Sequence, residues 1–179
     1  MSVAVNIVLT ILQIAVGVFA KSQALIADGI HSLSDLVADF VVLFASHHSK
    51  KDADADHPYG HQRFETAASL VLGVLLLAVG VGMLWSAVRK LESPDTVQQV
   101  HMVALWVAGA ALLSNALLFR YRLAVAKRGK SGMLVANAWH ARSDAASSLV
   151  VAIGIGGNLL GVTLLDPIAA LIVGLMIVK

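Results

Sequence analysis

Six long apolar segments, each close to the thickness of a bilayer's hydrocarbon core, constrain this chain more than any other feature. They run at about 3–20, 24–46, 66–88, 100–121, 133–157 and 162–178. A helix rises about 1.5 Å per residue, so about 20 mostly apolar residues cross a core of about 30 Å. Lipid offers no partner to an unpaired backbone N–H, which leaves the helix as the spanning form for such segments. The expected fold class is therefore all-α, a bundle of six transmembrane helices forming a single domain over 1–179. Composition agrees: 58% of the residues are hydrophobic and 13% charged, where a soluble domain carries about 25% charge.

The breaks between segments are chemically legible. Lys21-Ser22-Gln23 reads as a tight turn, 47–65 as a polar loop with Pro58 and Gly60, and Glu92-Ser93-Pro94-Asp95 as another turn. A basic loop covers 122–132, and Gly161 with Asp166-Pro167 brackets the start of the last helix, whose first turn tolerates a proline. The first segment lacks a basic flank and reads as a span rather than a cleaved signal. Nine Lys and Arg fall on the side of loops 47–65 and 122–132 (Lys50, Lys51, Arg63, Arg120, Arg122, Lys127, Arg128, Lys130, Lys179). Three fall on the other (Lys21, Arg89, Lys90). Cytoplasmic loops carry that excess, so the expectation is a multi-pass integral membrane protein, of the bacterial inner membrane, with both termini cytoplasmic. The sequence stops at Lys179, directly on an apolar helix, which points either to a truncated chain or to a missing C-terminal domain.

Ionisable side chains are costly at the bilayer centre, about 2.5–3.5 kcal/mol each on insertion scales, and mark function by default. Here they gather in two spans: Asp28, His31, Asp35 and Asp39 in the second, and His140, Arg142 and Asp144 in the fifth. His31 and Asp35 are four apart, as are His140 and Asp144, and residues four apart share a helix face. If the two helices face each other, two imidazoles and two carboxylates converge, a donor set that suits tetrahedral zinc. The alternative is two separate His–Asp pairs, each hydrogen-bonded within its own helix. A serine precedes the aspartate in both His-Ser-Leu-Ser-Asp and His-Ala-Arg-Ser-Asp, and small residues allow helices to approach closely in lipid. There is no cysteine, so any metal is held by His, Asp or Glu. The net charge of +2 and the scatter of basic residues over loops exclude a nucleic-acid partner.

Asp28 and Asp39 extend the acidic face of the second helix by a turn each way. They are candidate steps on an ion's path, or equally a helix cap and an ion-pair partner. Arg142 lies about 200° round the helix from His140 and carries no ligand role. The loop segment Asp52 to Glu65 holds Asp54, His57 and His61, a possible second metal site or, read plainly, a solvated acidic loop. His47, His48 and His101 are expected at membrane edges, and Asn6 and Asn115 in hydrogen bonds between helices.

Three stretches, Ala-Asp28-Gly-Ile-His31-Ser-Leu-Ser-Asp35, His57-Pro-Tyr-Gly-His61-Gln-Arg63-Phe-Glu65 and Asn137-Ala-Trp-His140-Ala-Arg-Ser-Asp144, resemble the signatures of the cation diffusion facilitators. The resemblance covers essentially the whole chain. It implies a transport site at His31, Asp35, His140 and Asp144, and a loop site at Asp54, His57 and His61. It also implies zinc preference, a homodimer, and export of metal from the cytoplasm in exchange for protons. No enzymatic activity and no cofactor is expected; the metal is cargo, zinc first, with Fe2+, Co2+, Ni2+ and Cd2+ as alternatives. Two departures stand out: the metal-sensing domain that usually follows the sixth helix is absent from this sequence, and the first helix has no acid for a basic residue such as Arg63 to lock. Two competing readings are a membrane di-iron enzyme and a proton-coupled carrier of a non-metal solute.

Overall fold

A computed structural model describes residues 2–49, 63–93, 97–129 and 132–178. Six helices follow in order: α1 (Ser2–Ala20), α2 (Gln23–Ser49), α3 (Arg63–Glu92), α4 (Met102–Gly129), α5 (Gly132–Leu159) and α6 (Leu165–Val178). Neighbours in sequence run antiparallel. The closest pairings are α4 with α5, α1 with α2, and α3 with α6, while α2 also packs on α3, α5 and α6. The helices outrun the apolar segments: α2 continues to Ser49, α3 begins at Arg63, and α4 carries on to Gly129 through most of the stretch 122–132 expected as a loop. Apolarity marks where lipid begins, but nothing in Arg120 to Gly129 stops a helix from continuing into polar surroundings.

The outside of the bundle is apolar. Phe19, Phe40, Leu43, Leu70, Trp106, Leu113 and Tyr121 are all exposed, and an apolar belt of this extent calls for lipid rather than water. Two helices, Thr66–Glu92 and Met102–Val125, are long and apolar enough to cross a membrane by those measures alone. The charges that mark α2 and α5 as interesting are also what lowers their apolarity.

Burial is lopsided along the bundle axis. Among the described residues, those buried include Thr10, Gln13, Gly17 and Ala20 in α1, Ala24, Leu25, Ala27, Asp28, Gly29 and Ser34 in α2, and Gly80 and Ala87 in α3. They also include Ala104, Ala108 and Ala111 in α4, Ala141, Ser147, Ser148, Val151, Gly154, Ile155 and Asn158 in α5, and Asp166, Pro167, Ala169, Ala170, Val173 and Gly174 in α6. All lie in the middle or towards the end that holds the α1–α2, α3–α4 and α5–α6 connections. The described segments 4–9, 35–41, 66–79, 112–125 and 175–178 contain no buried residue.

Chemistry at the connections explains the tight end. α1 stops with Lys21 in the left-handed region (φ 59°), Lys21 N–H donating to Val18 and Ser22 N–H to Gly17, the double bond that closes a helix C-terminus. α5 stops the same way on Gly161 (φ 103°), with Gly161 N–H to Asn158 and Val162 N–H to Gly157. Ser22 then caps α2 by accepting from Leu25 N–H (3.1 Å). Asp166, at the start of α6, completes the cap from another helix. It accepts from Ser22 Oγ (2.5 Å), Gln23 N–H (2.7 Å) and Ala24 N–H (3.4 Å), where a helix N-terminus favours a negative charge. Asn158 accepts from Val100 N–H (2.9 Å) and donates to Thr163 O (2.8 Å), holding the α3–α4 segment against the α5–α6 turn. Small residues then bring the helices close: a Cβ added at Gly29 would stand 2.7 Å from Ile14 Cγ1.

Candidate metal centre

α2 and α5 meet at the level of His31 and Asp144, near the upper limit of the buried half. Four donor atoms close a ring there. His31 Nε2 stands 3.9 Å from Asp35 Oδ2 and 4.0 Å from Asp144 Oδ1. His140 Nε2 stands 3.9 Å from each of the same two oxygens. Each imidazole therefore faces the carboxylate of its own helix and that of the other equally. A gap of 3.9 Å is too long for a hydrogen bond, so two self-contained His–Asp pairs are not what the structure holds.

The ring is slightly wider than a loaded zinc site. Tetrahedral zinc with bonds of about 2.1 Å puts its donors about 3.4 Å apart, so each of the four His–Asp distances has about half an ångström to close, while His140, outside the set of donors that lie within 4.8 Å of one another, has farther to move. His31, Asp35 and Asp144 offer donors within 4.8 Å of one another. Asp144 Oδ1 is buried without a hydrogen-bond partner. A buried acceptor left unpaired is unusual, and this one is aimed at both imidazoles.

Access is one-sided. His31 is 14% exposed and His140 55%, and on α2 the described segment 35–41, leading towards the 47–65 loop, holds no buried residue. The site opens towards that loop and is closed the other way.

The remaining sequence candidates fall differently. Asp39 is exposed on the open side. Asp28 is 2% exposed on the closed side, where it accepts from Gln13 Nε2 (2.6 Å), Ser147 Oγ (3.1 Å) and Ser148 Oγ (3.1 Å). Asn115 donates to Ser148 (2.9 Å), an interhelical hydrogen bond as expected. Ser34 is buried and spends its hydroxyl on Ile30 O (2.8 Å), whereas Ser143 is exposed, and the small buried residue of α5 beside the ring is Ala141. Close approach thus rests on Ala141, not on the serine that the repeated motif suggested. Arg142 lies over the Trp139 ring, 4.9 Å from its centre. His101 opens the α4 end beside Phe19. Asp54, His57 and His61 lie outside the described residues. Gln13, Ser147 and Ser148 escaped the sequence reading, in which Asp166 marks only the start of the last helix. Ser147 and Ser148 stand three and four residues after Asp144, mirroring Asp28 three before His31, and that symmetry was the available signal.

The family profile described as the cation efflux transmembrane domain matches residues 1–179. The chain belongs to this family. Metal tolerance protein C1 of Arabidopsis thaliana is 39% identical to it, over 97% of this chain and 40% of the relative. The manganese efflux system protein MneS of Bacillus subtilis (strain 168) is 36% identical, over 99% of this chain and 61% of the relative. Mitochondrial metal transporter 1 of Saccharomyces cerevisiae is 32% identical, over 98% and 39% respectively. The chain spans about half the length of the curated relatives it matches. The apolar exterior and the family together make it an integral membrane protein.

Proposed function

We propose that this chain carries a divalent transition-metal cation across the membrane, zinc by preference, out of the cytoplasm and in exchange for protons. The observation that carries the reading is the ring of two imidazoles and two carboxylates drawn from two helices around one point. Names of relatives that refer to metal tolerance, manganese efflux and metal transport support it.

The chemistry follows from charge. A bare divalent ion does not enter hydrocarbon, and the four donors replace its hydration shell. Asp35 and Asp144 together offset the ion's two charges, so the loaded ring is near neutral in a medium where net charge is costly. Imidazole nitrogen favours borderline ions over magnesium and calcium, which take oxygen. The same atoms bind either metal or protons, and histidine titrates near 6.5 when unperturbed. Metal arriving from the cytoplasm displaces protons, and protons arriving from the far side displace metal. The loop distribution of Lys and Arg supports both termini lying in the cytoplasm, which makes the open side of the ring the cytoplasmic one. A homodimer is carried over from the family resemblance, as is a loop site at Asp54, His57 and His61.

Zinc uptake by inside-out proteoliposomes tests the whole reading. Transport should require a proton gradient or generate an opposing pH change, and should vanish with His140→Ala. Uptake without any pH change contradicts antiport; unchanged uptake by His140→Ala contradicts the site. His31→Asp should relax preference from zinc towards manganese, and an unchanged metal profile removes His31 from the ligands.

A further inference from the structure

One turn beyond the ring, on its closed side, three helices meet at a single carboxylate and a fourth is tied in behind them. Asp28 of α2 accepts from Gln13 of α1 and from Ser147 and Ser148 of α5, and Asn115 of α4 holds Ser148 in turn. Its three donors are all neutral, and Asp28 is the sole ionisable side chain among the described residues between the ring and the connections at the tight end. Ser147 shares its one hydroxyl proton between Asp28 Oδ1 (3.1 Å) and Asp144 O (2.8 Å), so the cluster is joined to the ring through the α5 backbone. The Asp28–serine bonds tie α2 to α5 on the closed side of the ring.

We propose that Asp28 with Gln13, Ser147 and Ser148 is a gate with a carboxylate at its centre: a second, oxygen-only station for the divalent ion between the four-donor ring and the far side. This rests on the transport reading above. The chemistry suits both tasks. Without an ion, hydroxyl and amide N–H groups point at Asp28 and seal the bundle. A hydroxyl carries lone pairs as well as a proton, and an amide carries an oxygen beside its nitrogen, so rotation of the two serines and of Gln13 turns the same groups into oxygen ligands without backbone movement. An all-oxygen site holds a borderline metal less tightly than one with two imidazoles, so the ion is passed on rather than trapped.

The test separates this gate from the ring. Zn2+ binding to the purified chain is measured by calorimetry, and Zn2+ transport by the reconstituted chain. With Asp28→Asn, binding at the ring should change by less than about threefold while the maximal transport rate falls at least about tenfold, with the half-saturating concentration little altered. Removal of the seal alone is read in Ser147→Ala/Ser148→Ala carrying Val151→Cys. Val151 is fully buried one turn further along α5, and the chain has no other cysteine, so a thiol reagent reports on that one position. Labelling from the far side should rise at least about tenfold over Val151→Cys alone. Transport by Asp28→Asn at the unaltered rate overturns the station. Loss of Zn2+ binding together with transport overturns it as well, since that marks a structural support of the ring. Unchanged labelling overturns the seal, and decides the matter alone should Asp28→Asn fail to fold. Absence of Zn2+ binding by the unaltered chain overturns the transport reading and the gate with it.

Discussion

The two ends of this bundle are built on opposite principles. At the end holding the short connections, helix termini are capped, buried serine, asparagine and aspartate side chains tie one connection to another, and alanines and glycines let backbones approach. At the other end the same six helices present apolar surface outward and bury nothing among the described residues. The ring of His31, Asp35, His140 and Asp144 sits where these regimes meet. The lesson is a division of labour: the tight half fixes the register of α2 against α5, and the loose half lets an ion in.

Substitutions can break or sharpen that contrast. The largest effect belongs to the ring itself: Asp144→Ala should weaken Zn2+ binding by more than about 100-fold in calorimetry, since even outer-shell changes around metals cost about 10–100-fold. The fold should survive, because the ring carries no hydrogen bond that the tight half depends on. Next, Asp166→Ala removes the acceptor shared by Ser22, Gln23 and Ala24. Leaving buried donors unpaired costs about 1–3 kcal/mol each, so thermal unfolding in detergent should shift down clearly. Gly29→Ala forces a methyl to 2.7 Å from Ile14 Cγ1 and 3.1 Å from Ile14 N, an overpacking worth about 1–3 kcal/mol. The matched change in the loose half, Gly73→Ala, meets nothing within 4 Å and should stabilise by about 0.5–1 kcal/mol through helix propensity. If the two glycine variants shift the unfolding midpoint alike, the contrast between the halves fails. Smallest of all, Arg142→Ala loses an exposed stacking contact with Trp139, worth about 0.5–1 kcal/mol, and should leave transport intact.

Much of this was legible beforehand, and for definite reasons. Apolar length announces a membrane helix whatever it packs against, so all six helices were readable. The four-residue spacing of His31 with Asp35 and of His140 with Asp144 made a shared face readable too, because helix geometry leaves no freedom there. Helix ends were less readable: α4 runs to Gly129 since no residue after Arg120 opposes helix. The polar ties of the tight half were missed because Gln13, Ser147 and Ser148 are unremarkable in lipid-facing or helix-contact positions alike. Which role each has is decided by helix rotation, and a sequence reports that only where charge makes one answer costly. Asp28 and Asp39 make the point together. Both looked like extensions of one acidic face, yet one is buried under three donors and the other exposed.

Crystals grown with Zn2+, measured at the zinc absorption edge, test the central claim most directly. The account predicts one anomalous peak between α2 and α5, about 2.0–2.2 Å from His31 Nε2, Asp35, His140 Nε2 and Asp144. A peak held by the pair of one helix alone, or none between the two helices at saturating Zn2+, would contradict it.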